Sequence, residues 1–380
     1  MAEDKSEQLK QIIPMMRRGV AKSLAKRPLT GTAIPPLVEG GVPSWWHAPL
    51  NASGVAVDGR QAADARRAPV LFELHGGGFA LGDPRKNDAL RTWIARRWGV
   101  HTVGVGYRLT PENPFPAAID DVIGVLDHFA ENAERYGVDP DAFYLMGCSA
   151  GANLALACAF RLQLRASLRF RIRGILLHYP FLDAAAKPED LDTRDEDLPV
   201  EMMGAFNSWY VDGRDPKDPL ISPVFASDAQ LAALPRVIQY PVDGDALAPS
   251  AQTLHERLGA VGADCALHLV EGAYHGYLED AANLQVYQDT SLPETVAARP
   301  ASFDRTAARI YAQSLDELLG APQEDIPFRP QQAAEDAVRF ARGGDVGDPA
   351  GSDASAAAGA PAAPAGGAAP GAAGKMGGRR

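Results

Sequence analysis

Residues 143–158 read FYLMGCSAGANLALAC. An apolar run, FYLMG, meets a short turn, CSA, and then a stretch of small and apolar residues at helical spacing. Strand, sharp turn, helix is the form of a nucleophile elbow, in which the central residue of the turn is presented at the helix N-terminus. Two nucleophiles compete for that place, Cys148 and Ser149. Strand and helix pass closely only if the residues two places either side of the nucleophile are small. Gly147 and Gly151 flank Ser149 symmetrically, whereas centring the turn on Cys148 puts the bulky Met146 in one of those places. The spacing selects Ser149 and leaves Cys148 as a small, buried neighbour.

A serine nucleophile needs N–H donors aimed at the oxyanion that forms when it attacks a carbonyl. Upstream, VLFEL (70–74) reads as a buried strand and runs directly into HGGGF (75–79). Glycines leave backbone N–H groups uncovered and tolerate positive φ, so the N–H groups of Gly77 and Gly78, with that of Ala150, are the expected donors. His75 is expected to anchor this loop.

The serine also needs a base, and the base an acid that fixes its tautomer. Of eight histidines, His178 ends an apolar strand, His255 sits in a helical pattern and His268 alternates within a strand. His275, in EGAYHGY, follows the last strand in a glycine-flanked loop, where a solvent-reachable imidazole belongs. The acid is expected after the penultimate strand, in RVIQYPVDGDAL. Asp243 and Asp245 are two apart, and periodicity does not choose between them; reach favours Asp245 modestly.

Around these motifs the chain alternates short apolar strands (HTVGVGY, IRGILLHY, RVIQYPV, CALHLVE) with amphipathic helices, over roughly 116–136 and 303–320 among others. That alternation predicts an α/β fold with a mostly parallel sheet covered on both faces. The first fifty residues carry a helical pattern interrupted by Pro14 and then an irregular stretch containing GVPSWWHAPL. With an insertion at about 190–216 they are expected to form a small cap over a catalytic domain spanning about 51–342. The stretch 281–302 is a loop-rich insertion with no assignment. From residue 343 the chain is Ala/Gly/Pro-rich and cannot offset its ordering entropy, so it is expected to be disordered.

Composition sets the outer bounds. Apolar residues are 46% and charged residues 22% of 380, and the formal net charge is −11, which disfavours nucleic acid and anionic membrane surfaces as partners. No apolar run is long enough to span a membrane. Three cysteines without metal-site spacing read as reduced thiols, and with a charged N-terminus they give a cytoplasmic expectation. No zinc-type spacing is present, so no metal or cofactor is expected.

Taken together, HGGGF, YRLTPENPFPAAIDD (107–121), GCSAGANLA, LPRVIQYPVDGDAL and YHGY, in this order, resemble the hormone-sensitive-lipase branch of the α/β-hydrolases. That branch includes bacterial carboxylesterases, acetyl esterases and arylacetamide deacetylases. The resemblance covers about 68–278. It implies an α/β-hydrolase fold, a triad of Ser149, Asp245 and His275 (Asp245 lying two residues before Leu247) and an oxyanion hole of Gly77, Gly78 and Ala150. It makes Tyr107, Arg108 and Asp121 framework residues. The chain departs from the family at Cys148, often acidic, at Ala152, commonly Gly, and at Ala246, commonly Pro.

The expected activity is hydrolysis of small neutral esters with short to medium acyl chains through an acyl-enzyme. The acyl pocket is expected to draw on Trp45, Trp46, Met202, Met203, Phe206 and Trp209. Amide deacylation by the same machinery is an alternative, and a non-catalytic binding protein on the same fold a more distant one. The expected partner is a small-molecule ester; the sequence leaves the oligomeric state open, with a homodimer as one option.

Overall fold

Glu73 sits one residue before the end of VLFEL, where a fully buried strand should carry no charge. The computed structural model resolves the conflict. Glu73 accepts from Arg91 Nη1 at 2.7 Å and from Asn87 Nδ2 at 2.7 Å, and both Glu73 and Arg91 are buried. Such a pair is tolerated because each charge is met by a partner instead of being left alone in the core. Gly104 on the neighbouring strand leaves the room, since a Cβ there would lie 2.5 Å from Arg91 Nη1.

The structure describes residues 2–26, 29–49, 67–187, 191, 200–279 and 302–323. In chain order the elements are α1 (Ala2–Leu24), β1 (Thr32–Ile34), β2 (Ser44–His47), β3 (Ala68–Leu74), α2 (Asp88–Trp98), β4 (His101–Gly104), α3 (Ala117–Glu131), α4 (Ala133–Tyr136) and β5 (Val138–Cys148). They continue with α5 (Ala150–Gln163), β6 (Ile172–His178), α6 (Val200–Val211), α7 (Asp228–Ala232), β7 (Arg236–Tyr240), α8 (Ala248–Ala260), β8 (Cys265–Leu267) and α9 (Ser302–Leu319).

The strands form one eight-stranded sheet in the order β1-β2-β4-β3-β5-β6-β7-β8. From β4 to β8 every neighbour is parallel, and β1 and β2 join antiparallel at the edge. Both faces are covered, which is why the strands read as near-continuous apolar runs. On one face Phe72, Phe143 and Leu145 pack with the apolar sides of α3 and α5. On the other, Leu71, Met146, Cys148 and Leu176 pack with α2 and α9.

Two expectations for the first fifty residues are corrected. WW lies in a strand, not an irregular stretch: β2 pairs with both β1 and β4. The segment thus supplies the sheet edge. And α1 runs through Pro14. Proline removes one helical hydrogen bond, but Ile13 beside it is fully buried against Ala205, Phe206 and Trp209 of α6, and tertiary packing carries most of a helix's stability. Arg17 then ties α1 to the body, donating to Ala80 O at 2.8 Å, to Glu112 at 2.8 Å and to Thr110 O. The 343–380 tail, residues 281–301 and most of 190–199 lie outside the described residues. Among the described residues no helix is long and apolar enough to cross a membrane.

Candidate active site

β3, β5, β7 and β8 run parallel in one sheet, with β6 between β5 and β7, so the segments that follow their carboxyl ends leave from the same edge and can meet. Ser149 follows β5. Its φ is +53 and ψ −117, a conformation costly for a residue with a Cβ and held only when the surroundings impose it. The surroundings are tight. A Cβ on Gly147 would lie 2.3 Å from Gly151 O, and one on Gly151 2.1 Å from Leu74 O. The Ser149 N–H donates to His178 O at 3.0 Å, fixing the turn from the next strand.

Ser149 Oγ lies 2.9 Å from His275 Nε2, and His275 Nδ1 lies 2.8 Å from Asp245 Oδ2. The remaining Asp245 oxygen accepts the Leu247 N–H at 2.9 Å. With Asp245 ionised, Nδ1 carries the proton and Nε2 is left as acceptor for the serine hydroxyl. The Asp245 side chain is fully buried and that of His275 is 9% exposed. Asp243 is exposed; its N–H is spent on Val270 O. The Tyr179 ring meets the His275 ring edge-on at 5.0 Å and limits its tilt.

The glycine loop follows β3. Gly77 (φ +117), Gly78 (+59) and Phe79 (+60) all take positive φ. A Cβ on Gly77 would meet Leu81 O at 2.4 Å, and one on Gly78 would meet the Phe206 ring at 2.2 Å, so both positions require glycine. His75 is an anchor. Its Nδ1 is 2.8 Å from Gly76 O and 2.9 Å from the Tyr107 hydroxyl, which itself donates to His75 O at 2.7 Å. The two rings stack at 4.2 Å. Burial lowers the His75 pKa and keeps it neutral. Arg108 grips Asp121 through Nε and Nη2 at 2.8–3.0 Å, which holds the 107–121 segment beneath the loop. His178, set aside as structural, is fully buried, and desolvation pushes its pKa down to about 3.

Gly77, Gly78, Ser149, Ala150 and His275 line one pocket of about 220 Å³. Met202, Met203 and Phe206 of α6 line it too, as expected. Trp45, Trp46 and Trp209 do not. Trp45 and Trp46 sit on β2, where Trp46 is buried between His101 and Tyr136, and Trp209 packs on α1, its Nε1 donating to Ser6 Oγ at 3.1 Å. In their place stand Leu81, Phe181, Asn207 and Leu247, with two charged residues, Lys86 and Glu279. No local pattern marks these, because they come from five separate segments.

Cys148 is 1% exposed and packs in the core with Tyr179. Burial, and then the Glu279 charge, push its thiol well above the usual range. A protonated thiol facing the core is no nucleophile. Cys148→Ala is therefore expected to keep most of the wild-type kcat on p-nitrophenyl butyrate. A loss comparable to that of Ser149→Ala would overturn the elbow reading.

Comparison with known proteins bears on the fold and family. Residues 71–279 match a family model described as alpha/beta hydrolase fold. An esterase of Acinetobacter venetianus is 35% identical over 167 residues, covering 43% of this chain and 53% of that protein. Carboxylesterase NlhH of Mycobacterium tuberculosis is 31% identical over 222 residues, covering 56% of this chain and 67% of that protein. The chain thus spans about half to two thirds of the length of these relatives. The solved structure of carboxyl esterase 2 from the fungus Tuber melanosporum superposes with a TM-score of 0.61 at 21% identity, covering 77% of this chain and 88% of the other. A sheet of this order, an elbow at the end of its central strand and a family match across more than half the sequence place the chain in the α/β-hydrolase fold family.

Proposed function

We propose that the protein is a serine carboxylesterase acting on small neutral esters with short to medium acyl chains. The observation that carries this reading is the continuous line Asp245–His275–Ser149, which ends in a small pocket beside the glycine loop. Ser149 Oγ attacks the acyl carbonyl while His275 Nε2 takes its proton. The carbonyl oxygen becomes an oxyanion and receives the N–H groups of Gly77, Gly78 and Ala150. His275, now charged and stabilised by Asp245, gives the proton to the leaving alcohol. Water repeats the sequence on the acyl-enzyme, with His275 again as base. All chemistry is supplied by side chains and backbone amides.

The pocket's size favours small substrates. About 220 Å³ falls below the roughly 300–1,000 Å³ usual for drug-sized ligands, and the α6 side chains Met202, Met203 and Phe206 line one part of it. p-Nitrophenyl butyrate is expected to be cleaved at least an order of magnitude faster than the palmitate ester. Equal or reversed rates would sink the chain-length claim. Relatives bearing the names esterase and carboxylesterase support ester over amide, and a panel containing acetanilide beside phenyl acetate separates the two. All three cysteines are free, which fits the cytoplasmic location expected from composition.

A further inference from the structure

Among the charged residues lining the pocket, Glu279 has a geometry the triad does not account for. It lies four residues after His275, in the helical turn at 277–279. It is 7% exposed, and its Oε1 accepts the Gly76 N–H at 3.0 Å. Gly76 is the first residue of the glycine loop. A Cβ there would lie 2.3 Å from Glu279 Oε2 and 3.2 Å from Cys148 O. The root of the loop is therefore pinched between the strand end that leads into Ser149 and a carboxylate from the segment that carries His275. The far side of the loop is held separately, by Arg17 on Ala80 O.

An N–H donated to a carboxylate is roughly twice as strong as one given to a neutral acceptor. Glu279 accepts the Gly76 N–H one residue before the backbone turns to positive φ at Gly77. A small swing at Gly76 is passed directly to the Gly77 and Gly78 amides. The Glu279 charge is also felt around it, where it adds to burial in raising Cys148 and Tyr107.

We propose that Glu279 is a positioning residue of the oxyanion hole, which sets the Gly77 and Gly78 amides by holding the Gly76 N–H. This rests on reading Ser149 as nucleophile and the glycine loop as the oxyanion site. A donor set displaced in this way weakens binding of the transition state more than of the ester. The signature is a fall in kcat with little change in KM.

The test is steady-state hydrolysis of p-nitrophenyl butyrate together with inhibition by a trifluoromethyl ketone, whose serine adduct carries an oxyanion. Glu279→Ala is expected to lower kcat about 30-fold, less than the 10²–10³ lost when a donor is deleted outright. Its KM should stay within about threefold of wild type, and ketone inhibition should weaken by a factor similar to the kcat loss. Glu279→Gln keeps an oxygen that accepts the Gly76 N–H and should recover kcat to within about fivefold of wild type. Wild-type kcat in Glu279→Ala, a change confined to KM, unaltered ketone inhibition, or a glutamine variant as poor as the alanine one would each overturn the proposal. Should Glu279→Ala not fold, Glu279→Asp, whose carboxylate is drawn back by one methylene, must show the same kcat-selective loss, and wild-type kcat there overturns it equally. Ser149→Ala run alongside keeps the two readings apart. Turnover in that variant removes the esterase mechanism, whereas its inactivity beside an unimpaired Glu279→Ala removes this proposal alone.

Discussion

Ser149→Ala is expected to reduce kcat/KM for p-nitrophenyl butyrate by about 10⁵-fold or more, as removal of a triad serine does elsewhere. Alanine keeps the Cβ that the strained turn already accommodates, at φ +53, so the fold should be intact and the melting temperature close to wild type. What is lost is the oxygen 2.9 Å from His275 Nε2. The residual rate would come from ester bound near the glycine loop and attacked by water. The same variant separates an enzyme from a ligand-binding protein on this scaffold. The enzyme reading predicts that substrate still binds while hydrolysis ends.

The second large effect is expected at Asp245. Asp245→Asn should lower kcat by about 10⁴-fold, because an amide can donate to Nδ1 and so stabilise the imidazole tautomer that cannot accept the serine proton. Asp243→Asn should leave kcat within about threefold, as expected for an exposed residue away from the site. The pair of variants is informative because the two aspartates are separated by a single glycine, Gly244, at φ +80. That turn sends one carboxylate out to solvent and the other inward to His275 Nδ1 at 2.8 Å. A larger loss in Asp243→Asn would contradict the assignment.

These two residues also mark the limit of what the sequence discloses. Ser149 was legible because its requirement is local: small residues at fixed offsets, a strand before and a helix after. Gly77 and Gly78 were legible for the same reason. Alternation does not separate Asp245 from Asp243, since residues two apart share a face of an extended chain; reach leans to Asp245 and the family frame makes the choice, and the turn at Gly244 supplies its physical cause. The pocket was least legible. Phe206 and Trp209 lie on one short helix, three residues apart, and both pack with Ile13 of α1, yet nothing in their spacing says that Phe206 alone also meets the glycine loop. Glu279 acts on Gly76 across 203 residues of sequence, so no local pattern could announce it. The edge strands β1 and β2 were missed because three and four residues are too few to show a period.

The central claim is that acyl transfer passes through Ser149 Oγ. Acid-quenching a p-nitrophenyl butyrate reaction during turnover and mapping the adduct by peptide mass spectrometry tests it directly. The account predicts one added butyryl group on the peptide containing GCSAG, localised to Ser149 by fragmentation, retained in Cys148→Ala and absent in Ser149→Ala. A butyryl group on Cys148, or turnover by Ser149→Ala with no adduct on the peptide, would contradict it.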